Sequence, residues 1–328
     1  MKLVLLLSLL IPLSSMAVPE ESFSRDINEK VLPHFRTLTS GTLVNQQGLK
    51  LKYFFHKNPN NHKSLLIVPG RTEPAYKYAE LIYDLKDSGF DIFIMDLQGQ
   101  GESSRILADS QKGHVINFYN YVADMEEFIK KVVVSKATKP LYLIAHSMGG
   151  AISTLYMNRN PNVIKKAVLV APMFEMNTHP YSEAVARIYS KFLISVGKGN
   201  HYAPGYGPFV ASEHSFETNV LTRSKVRFEQ SKNIFISFPK LTVSGPTAKW
   251  VNESLKTTRK IDRIHLETPV LILQAGQDRI VNPGRQESFC RKGGCELINF
   301  HDANHEILME KDSIRNEALK EIESFFGI

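Results

Sequence analysis

Pro140-Leu141-Tyr142-Leu143-Ile144-Ala145-His146-Ser147-Met148-Gly149-Gly150-Ala151 decides how this chain is read. A continuous apolar run, the pattern of a strand buried on both faces, breaks at a serine and gives way to small residues and a helical pattern. A serine on so sharp a strand-to-helix turn projects its hydroxyl above the sheet. The turn needs small neighbours because the backbone folds back on itself. Gly149, Gly150 and Ala151 supply them. The outline is that of a nucleophile elbow, G-x-S-x-G, with Ala145 in the first glycine position; the competing reading is a serine that merely caps the following helix.

Working outward, the same rhythm recurs. After a polar lead-in over residues 18–38, expected as a helix, residues 49–56 alternate as a strand. Residues 64–68 are continuously apolar and end at Pro69-Gly70. Residues 76–87 are helical, with Tyr78, Leu81, Ile82 and Leu85 on one face, and residues 90–95 form another buried strand before Asp96-Leu97-Gln98-Gly99-Gln100-Gly101-Glu102-Ser103. That loop lacks the third glycine of a dinucleotide loop and the Gly-Lys-Ser/Thr of a nucleotide loop, so it reads as a tight turn. A helix over 118–134 feeds the central strand, and strands over 166–171, 268–274 and 296–300 follow, with a closing helix over 311–326. Strands alternating with helices predict an α/β fold, a mostly parallel central sheet with helices on both faces. Ligands of such sheets sit beyond the carboxyl ends of the strands, so the loops at Gly70, Gly99 and Ser147 should meet on one rim.

Between residues 172 and 264 the rhythm fails, and the length is too great for a crossover. An inserted, largely helical cap is expected there, dividing the core into residues 18–171 and 265–328. Residues 181–196 place Val185, Ile188, Tyr189, Phe192 and Val196 on one helical face, expected to pack the cap on the core. A Pro-Gly-aromatic loop over 201–209 follows. Gly245-Pro246 then opens a further helix through Trp250 and Leu255.

With 43% hydrophobic and 22% charged residues, the 328-residue chain can bury one large core, which excludes disordered and fibrous classes. Met1-Lys2, an apolar run over 3–13 and Ser14-Ser15-Met16-Ala17 read as a cleavable signal peptide, residues 1–17, too short to span a bilayer. The mature chain would begin at Val18; the alternative is an uncleaved amino-terminal anchor. Export would oxidise Cys290 and Cys295, which enclose a short turn-forming segment, and a disulfide between them is expected. Formal charge is +7, and residues 175–265 hold 13 Lys and Arg against 7 Asp and Glu, so the excess is concentrated in the cap.

A serine hydroxyl needs a base to take its proton, and the base needs a third group to hold its tautomer. The partners should follow in the order serine, acid, histidine, each in a loop after a late parallel strand. Asp278 and His305 fit. His146 is adjacent to Ser147, but neighbours on a strand point to opposite sides, so it should face inward and support the elbow. Asp302 is the second choice of acid, too close in sequence to His305 for easy geometry. His301 and His305 lack a third metal ligand, and no metal or other cofactor is expected. Oxyanion donors are expected in the backbone N–H groups of Met148 and Arg71, with the Arg71 side chain either solvated or meeting an anionic group.

These motifs resemble the α/β-hydrolase fold, and within it the monoacylglycerol lipase and lysophospholipase group. The Pro-Gly loop at 69–71, the Asp-x-x-Gly-x-Gly-x-Ser loop at 96–103 and His-Ser-Met-Gly-Gly at 146–150 are similar to that group's. The likeness to bacterial lysophospholipases extends over the cap segments Asn219-Val220-Leu221-Thr222-Arg223-Ser224, Gly245-Pro246-Thr247 and Trp250-Val251 and, in the core, over His305-Glu306-Ile307-Leu308 with Glu310-Lys311-Asp312. Gln98, where the group commonly has arginine, and Ala145 depart from the pattern without removing a catalytic group. The resemblance implies a metal-independent serine esterase acting on a lysophospholipid. A monoacylglycerol lipase or carboxylesterase, an acyltransferase with the same site, and a non-catalytic lipid-binding relative are the alternatives. The basic cap suggests an anionic membrane surface as partner, and no nucleic-acid motif accompanies the charge. Localisation is expected to be periplasmic or secreted, peripheral to a membrane.

Overall fold

The computed structural model describes residues 17–328, so the expected leader lies outside the described residues but for Ala17. Two short helices, Phe23–Asp26 and Leu32–Thr37, flank a π-helical turn over Ile27–Val31 and form the lead-in. The strands are β1 (Thr39–Val44), β2 (Lys50–His56), β3 (Lys63–Val68), β4 (Phe90–Met95), β5 (Leu141–His146), β6 (Ala167–Val170), β7 (Val270–Ala275) and β8 (Glu296–Phe300). They form one sheet in the order β1-β2-β4-β3-β5-β6-β7-β8, with β1–β2 and β2–β4 antiparallel and every later pairing parallel. This is the α/β-hydrolase arrangement expected. Strand β1 was not anticipated: its residues Thr39-Ser40-Gly41-Thr42 are polar because an edge strand faces solvent.

The helices of the core are α1 (Ala79–Leu85), α2 (Tyr119–Phe128, continued by a π-helical turn over Ile129–Val133) and α3 (Met148–Arg159). Next come α4 (Glu183–Ser195), α5 (Lys225–Ser237) and α6 (Ala248–Ile261), all between β6 and β7, then α7 (Pro283–Gly293) and α8 (Asp312–Phe326). Because side chains alternate along a strand, the parallel strands bury two layers. Leu66, Phe93, Leu143 and Leu169 pack with Val122 and Met125 of α2 and with Ile152 and Leu155 of α3. Leu65, Ile67, Ile92, Ile144 and Val168 pack on the other side with Leu81 and Ile82 of α1 and Leu319 and Ile322 of α8. Both layers are needed to make the sheet a rigid platform.

Polar caps set where helices begin. Ser182, Ser224 and Thr247 accept from Val185, Arg227 and Trp250 backbone N–H groups, starting α4, α5 and α6. Thr247 rather than Pro246 therefore opens α6. Trp250 is buried in the first core layer and ties α6 to the core, whereas the apolar face of α4 points outward. Tyr181, Val185, Ile188, Tyr189, Phe192 and Val196 are 63, 49, 67, 47, 56 and 48% exposed, which corrects the expectation that they pack on the core. Helix α4 instead turns its Ser190 side inward. The periodicity marked a single apolar face; it carried no information about what covers that face.

Helix α5 is fastened by a polar device. Arg227 is fully buried, donates to both Glu80 carboxylate oxygens at 2.9–3.1 Å, to Asp312 Oδ1 at 2.9 Å, and to the carbonyls of Glu310 and Val18 at 2.8 and 2.9 Å. One side chain thus joins the inserted segment to α1, α8 and the start of the described chain. The expected disulfide is present: Cys290 of α7 is bonded to Cys295, with Gly294 in the left-handed conformation at φ 74° closing the helix. It fixes the passage from α7 into β8.

Candidate active site

Ser147 lies between the last residue of β5 and the first of α3, with φ 50° and ψ −115°. A non-glycine residue there stores roughly 1–3 kcal/mol of backbone strain, which the surrounding contacts must hold. Its N–H donates to Val170 O at 3.0 Å, and its own carbonyl accepts from Met173 N at 2.9 Å and Gly150 N at 2.9 Å. The glycine requirement is steric: a Cβ on Gly149 would sit 2.3 Å from Val68 O, and one on Gly150 would sit 2.6 Å from Pro172 Cβ. Ala145 is fully buried within β5, opposite Val68 of β3, where its methyl group is accommodated.

The loops after β7 and β8 bring the other two residues in. His305 Nε2 is 2.9 Å from Ser147 Oγ, and His305 Nδ1 is 2.7 Å from Asp278 Oδ2. With the ring proton on Nδ1 facing the carboxylate, Nε2 is free to accept the serine proton. Asp278 Oδ1 accepts from the N–H groups of Ile280 and Val281 at 2.8 and 3.0 Å. Burial would lift this carboxyl, but the His305 bond and charge and the two N–H donors hold it below the usual range. Asp302, the other acid considered, is turned away, its side chain 80% exposed and 3.8 Å from Arg223. Among the described residues no cluster of His, Cys, Asp or Glu suited to a metal ion occurs.

Met148 is the first residue of α3, so its N–H has no intrahelical acceptor. The loop carrying Arg71 follows β3 and is pinned from two sides. Gln100 Nε2 donates to Gly70 O at 2.8 Å and to Glu73 O at 3.0 Å, while Gln100 Oε1 accepts from Thr72 N at 3.2 Å. Glu73 accepts from Gly70 N at 2.5 Å and from Tyr78 OH at 2.6 Å. The loops at Gly70, Gly99 and Ser147 thus converge on one rim.

Glu73 is a residue that sequence reasoning missed. The same carboxylate meets His146 Nδ1 at 3.0 Å and Lys77 at 2.8 Å, and Lys77 in turn meets Glu306 at 2.5 Å. His146 Nε2 lies 3.3 Å from the carbonyl of His305. Burial would raise Glu73, yet His146 and Lys77 hold it well below the carboxylate range. Burial would lower His146, yet Glu73 raises it above an ordinary histidine. A buried ion chain therefore ties the Arg71 loop to the backbone of His305. The four-residue spacing of Glu73 and Lys77 was the available signal, but it reads first as an ordinary surface pair.

The Hydrolase_4 family, described as serine aminopeptidase, S33, matches residues 59–312. Lysophospholipase L2 of Escherichia coli K12 is 36% identical over 290 residues, 85% of this chain and 84% of that protein. A probable lysophospholipase L2 of Haemophilus influenzae is 32% identical over 319 residues, covering 95% and 99%. Among solved structures, a soluble variant of monoglyceride lipase from Saccharomyces cerevisiae aligns with a TM-score of 0.69 at 21% identity, over 87% of this chain and 93% of that one.

Proposed function

The chain belongs to the Hydrolase_4, serine aminopeptidase S33, family, and from that premise we propose that it is an exported serine esterase that hydrolyses the acyl ester of lysophospholipids. The observation that carries the mechanism is the spacing of Ser147 Oγ, His305 Nε2 and Nδ1, and Asp278 Oδ2, at 2.9 and 2.7 Å. Ser147 Oγ attacks the ester carbonyl as His305 Nε2 takes its proton, and the tetrahedral oxyanion is held by the N–H groups of Met148 and Arg71. Collapse breaks the ester bond, and the glycerol oxygen leaves with the proton from His305. Water then repeats the sequence on the acyl-serine, giving a fatty acid and free Ser147. Asp278 holds the tautomer and the charge of His305 throughout.

The lysophospholipid reading is placed ahead of neutral monoacylglycerol because the lysophospholipase L2 relatives are 36% and 32% identical to this chain, against 24% and 25% for two monoglyceride lipases of similar coverage. The leader pattern and the disulfide support an oxidising compartment. Helix α4 supports a membrane surface as partner: its outward face is apolar, and Arg187 and Lys191 lie on the same helix.

The test is fatty-acid release from lysophosphatidylcholine and from a monoacylglycerol of the same chain length, by the wild type and by Ser147→Ala, with a chelator present. Preference for the lysophospholipid, lost in Ser147→Ala and indifferent to the chelator, is the expected result. Preference for the neutral lipid would keep the mechanism and transfer the protein to the monoacylglycerol lipases.

A further inference from the structure

The side chain of Arg71 leaves the oxyanion loop and enters the seam between core and inserted segment. There Nη1 donates to Ser244 O at 2.6 Å, and the guanidinium carbon stands 5.4 Å from the centroid of the Trp250 ring. Backbone crowds it closely: a Cβ on Gly113 would lie 3.2 Å from Arg71 Nη1 and 3.4 Å from Gly245 O. The fully buried arginines of the chain have acid partners, Arg227 with Glu80 and Asp312 and Arg315 with Asp84 and Glu80. Arg71 is different. Among the described residues no carboxylate lies within 4.0 Å of it, and the titratable groups that bear on its charge are the phenols of Tyr206 and Tyr121.

One carbonyl and one aromatic face leave most of the five guanidinium donors without a protein acceptor. Arg71 is part-buried rather than sealed off, so those donors are open to an arriving anion. His114, whose Nδ1 is 2.9 Å from Thr247 Oγ1, is pushed down to about 4 by burial and by Lys249 and Lys112, whose ammonium groups are themselves paired with Glu253 and Asp109 at 3.7 and 3.8 Å. The loop expected to supply an oxyanion donor thus also carries a fork-shaped cation directed at the inserted segment. The glycerol of a lysophospholipid is a spacer of three carbons between its ester and its phosphodiester.

We infer that the Arg71 guanidinium binds the phosphodiester of the lysophospholipid headgroup and so separates that substrate from neutral monoacylglycerols. The inference rests on the lysophospholipase reading above. Bidentate guanidinium–phosphate pairing supplies both charge and direction, which a lysine point charge reproduces in part and an apolar side chain does not.

The experiment compares kcat/KM on lysophosphatidylcholine and on a monoacylglycerol of equal chain length for the wild type, Arg71→Met and Arg71→Lys. The ratio is taken within one preparation, so a reduced folded fraction cancels. Arg71→Met is expected to lower the lysophospholipid-to-monoacylglycerol ratio about 10-fold or more, chiefly through KM, and Arg71→Lys to recover part of it. If Arg71 serves only to tether the inserted segment through Ser244, both substrates fall by one factor. An unmoved ratio in an enzyme that still shows Ser147-dependent release from lysophosphatidylcholine overturns this inference and leaves the function standing. A wild type that releases fatty acid from monoacylglycerol alone overturns both.

Discussion

Both ring nitrogens of His146 face acceptors, the Glu73 carboxylate and the carbonyl of His305, and only an imidazolium donates to both at once. The charge is balanced by Glu73, which also holds the Gly70 N–H, so one ion pair sets the position of the oxyanion loop and of the base. His146 touches no substrate in this account; it is a positioning residue. His146→Ala is expected to lower kcat by about 10–100-fold with KM nearly unchanged, because small displacements of a base are costly to the chemical step. A variant with wild-type kcat would remove His146 from the account. Ser147, Asp278 and His305 were legible in the sequence because each ends a recognisable apolar strand in the required order. Glu73 and Lys77 were not, since their meaning depends on a histidine 73 residues away from the carboxylate.

A second residue with a measurable consequence is Asp124. Gln98 and Asn45 donate to it at 2.6 and 2.7 Å. Burial lifts the carboxyl to about 6 against the pull of these two amides, no cation being among the causes that act on it. Its folded pKa therefore lies above its unfolded one, the folded state binds the extra proton, and stability falls as pH rises from about 4 to about 6. Asp124→Asn removes that slope. Denaturant titrations across this window should show the wild type losing on the order of 2 kcal/mol relative to the variant, and parallel pH profiles would contradict the assignment.

At the scale of elements, α5 shows why sequence patterning has limits. Its anchor is an arginine, and the buried side mixes Arg227 with Phe228 and Ile234, so the helix between Thr222 and Thr242 gives only a weak periodic signal. Arg227→Met keeps the bulk and leaves Glu80 with Arg315 as its remaining cation, at 3.5 Å. A loss of about 3–5 kcal/mol is expected, read as a lower midpoint in chemical denaturation. An unchanged midpoint would mean that the inserted segment is held elsewhere. The strands fared better, because parallel strands buried on both faces are apolar throughout and announce themselves, whereas β1 at the edge does not. Helix α4 was legible as an element and misjudged in its packing, for periodicity gives an apolar face a direction and no partner.

Across the whole molecule, the sheet is a fixed platform whose carboxyl rim collects the loops that carry Gly70, Gly99, Ser147, Asp278 and His305, and the inserted helices lie between β6 and β7 in the chain. The proposed membrane contact is tested on the exposed apolar face of α4. Ile188→Glu with Phe192→Glu, at positions 67 and 56% exposed, should leave folding intact. Sedimentation with vesicles containing anionic lipid is expected to fall at least several-fold, with turnover of a soluble short-chain ester retained. Undiminished binding would place the membrane contact on another face.

If acyl transfer passes through Ser147, its hydroxyl carries the acyl group during turnover. The most direct measurement is the mass of the Ser147 peptide after rapid acid quench of the wild-type enzyme turning over lysophosphatidylcholine. A peptide heavier by one acyl group is expected, absent from Ser147→Ala, which also releases no fatty acid. An acyl group found on another residue, or fatty-acid release persisting in Ser147→Ala, would contradict passage through Ser147.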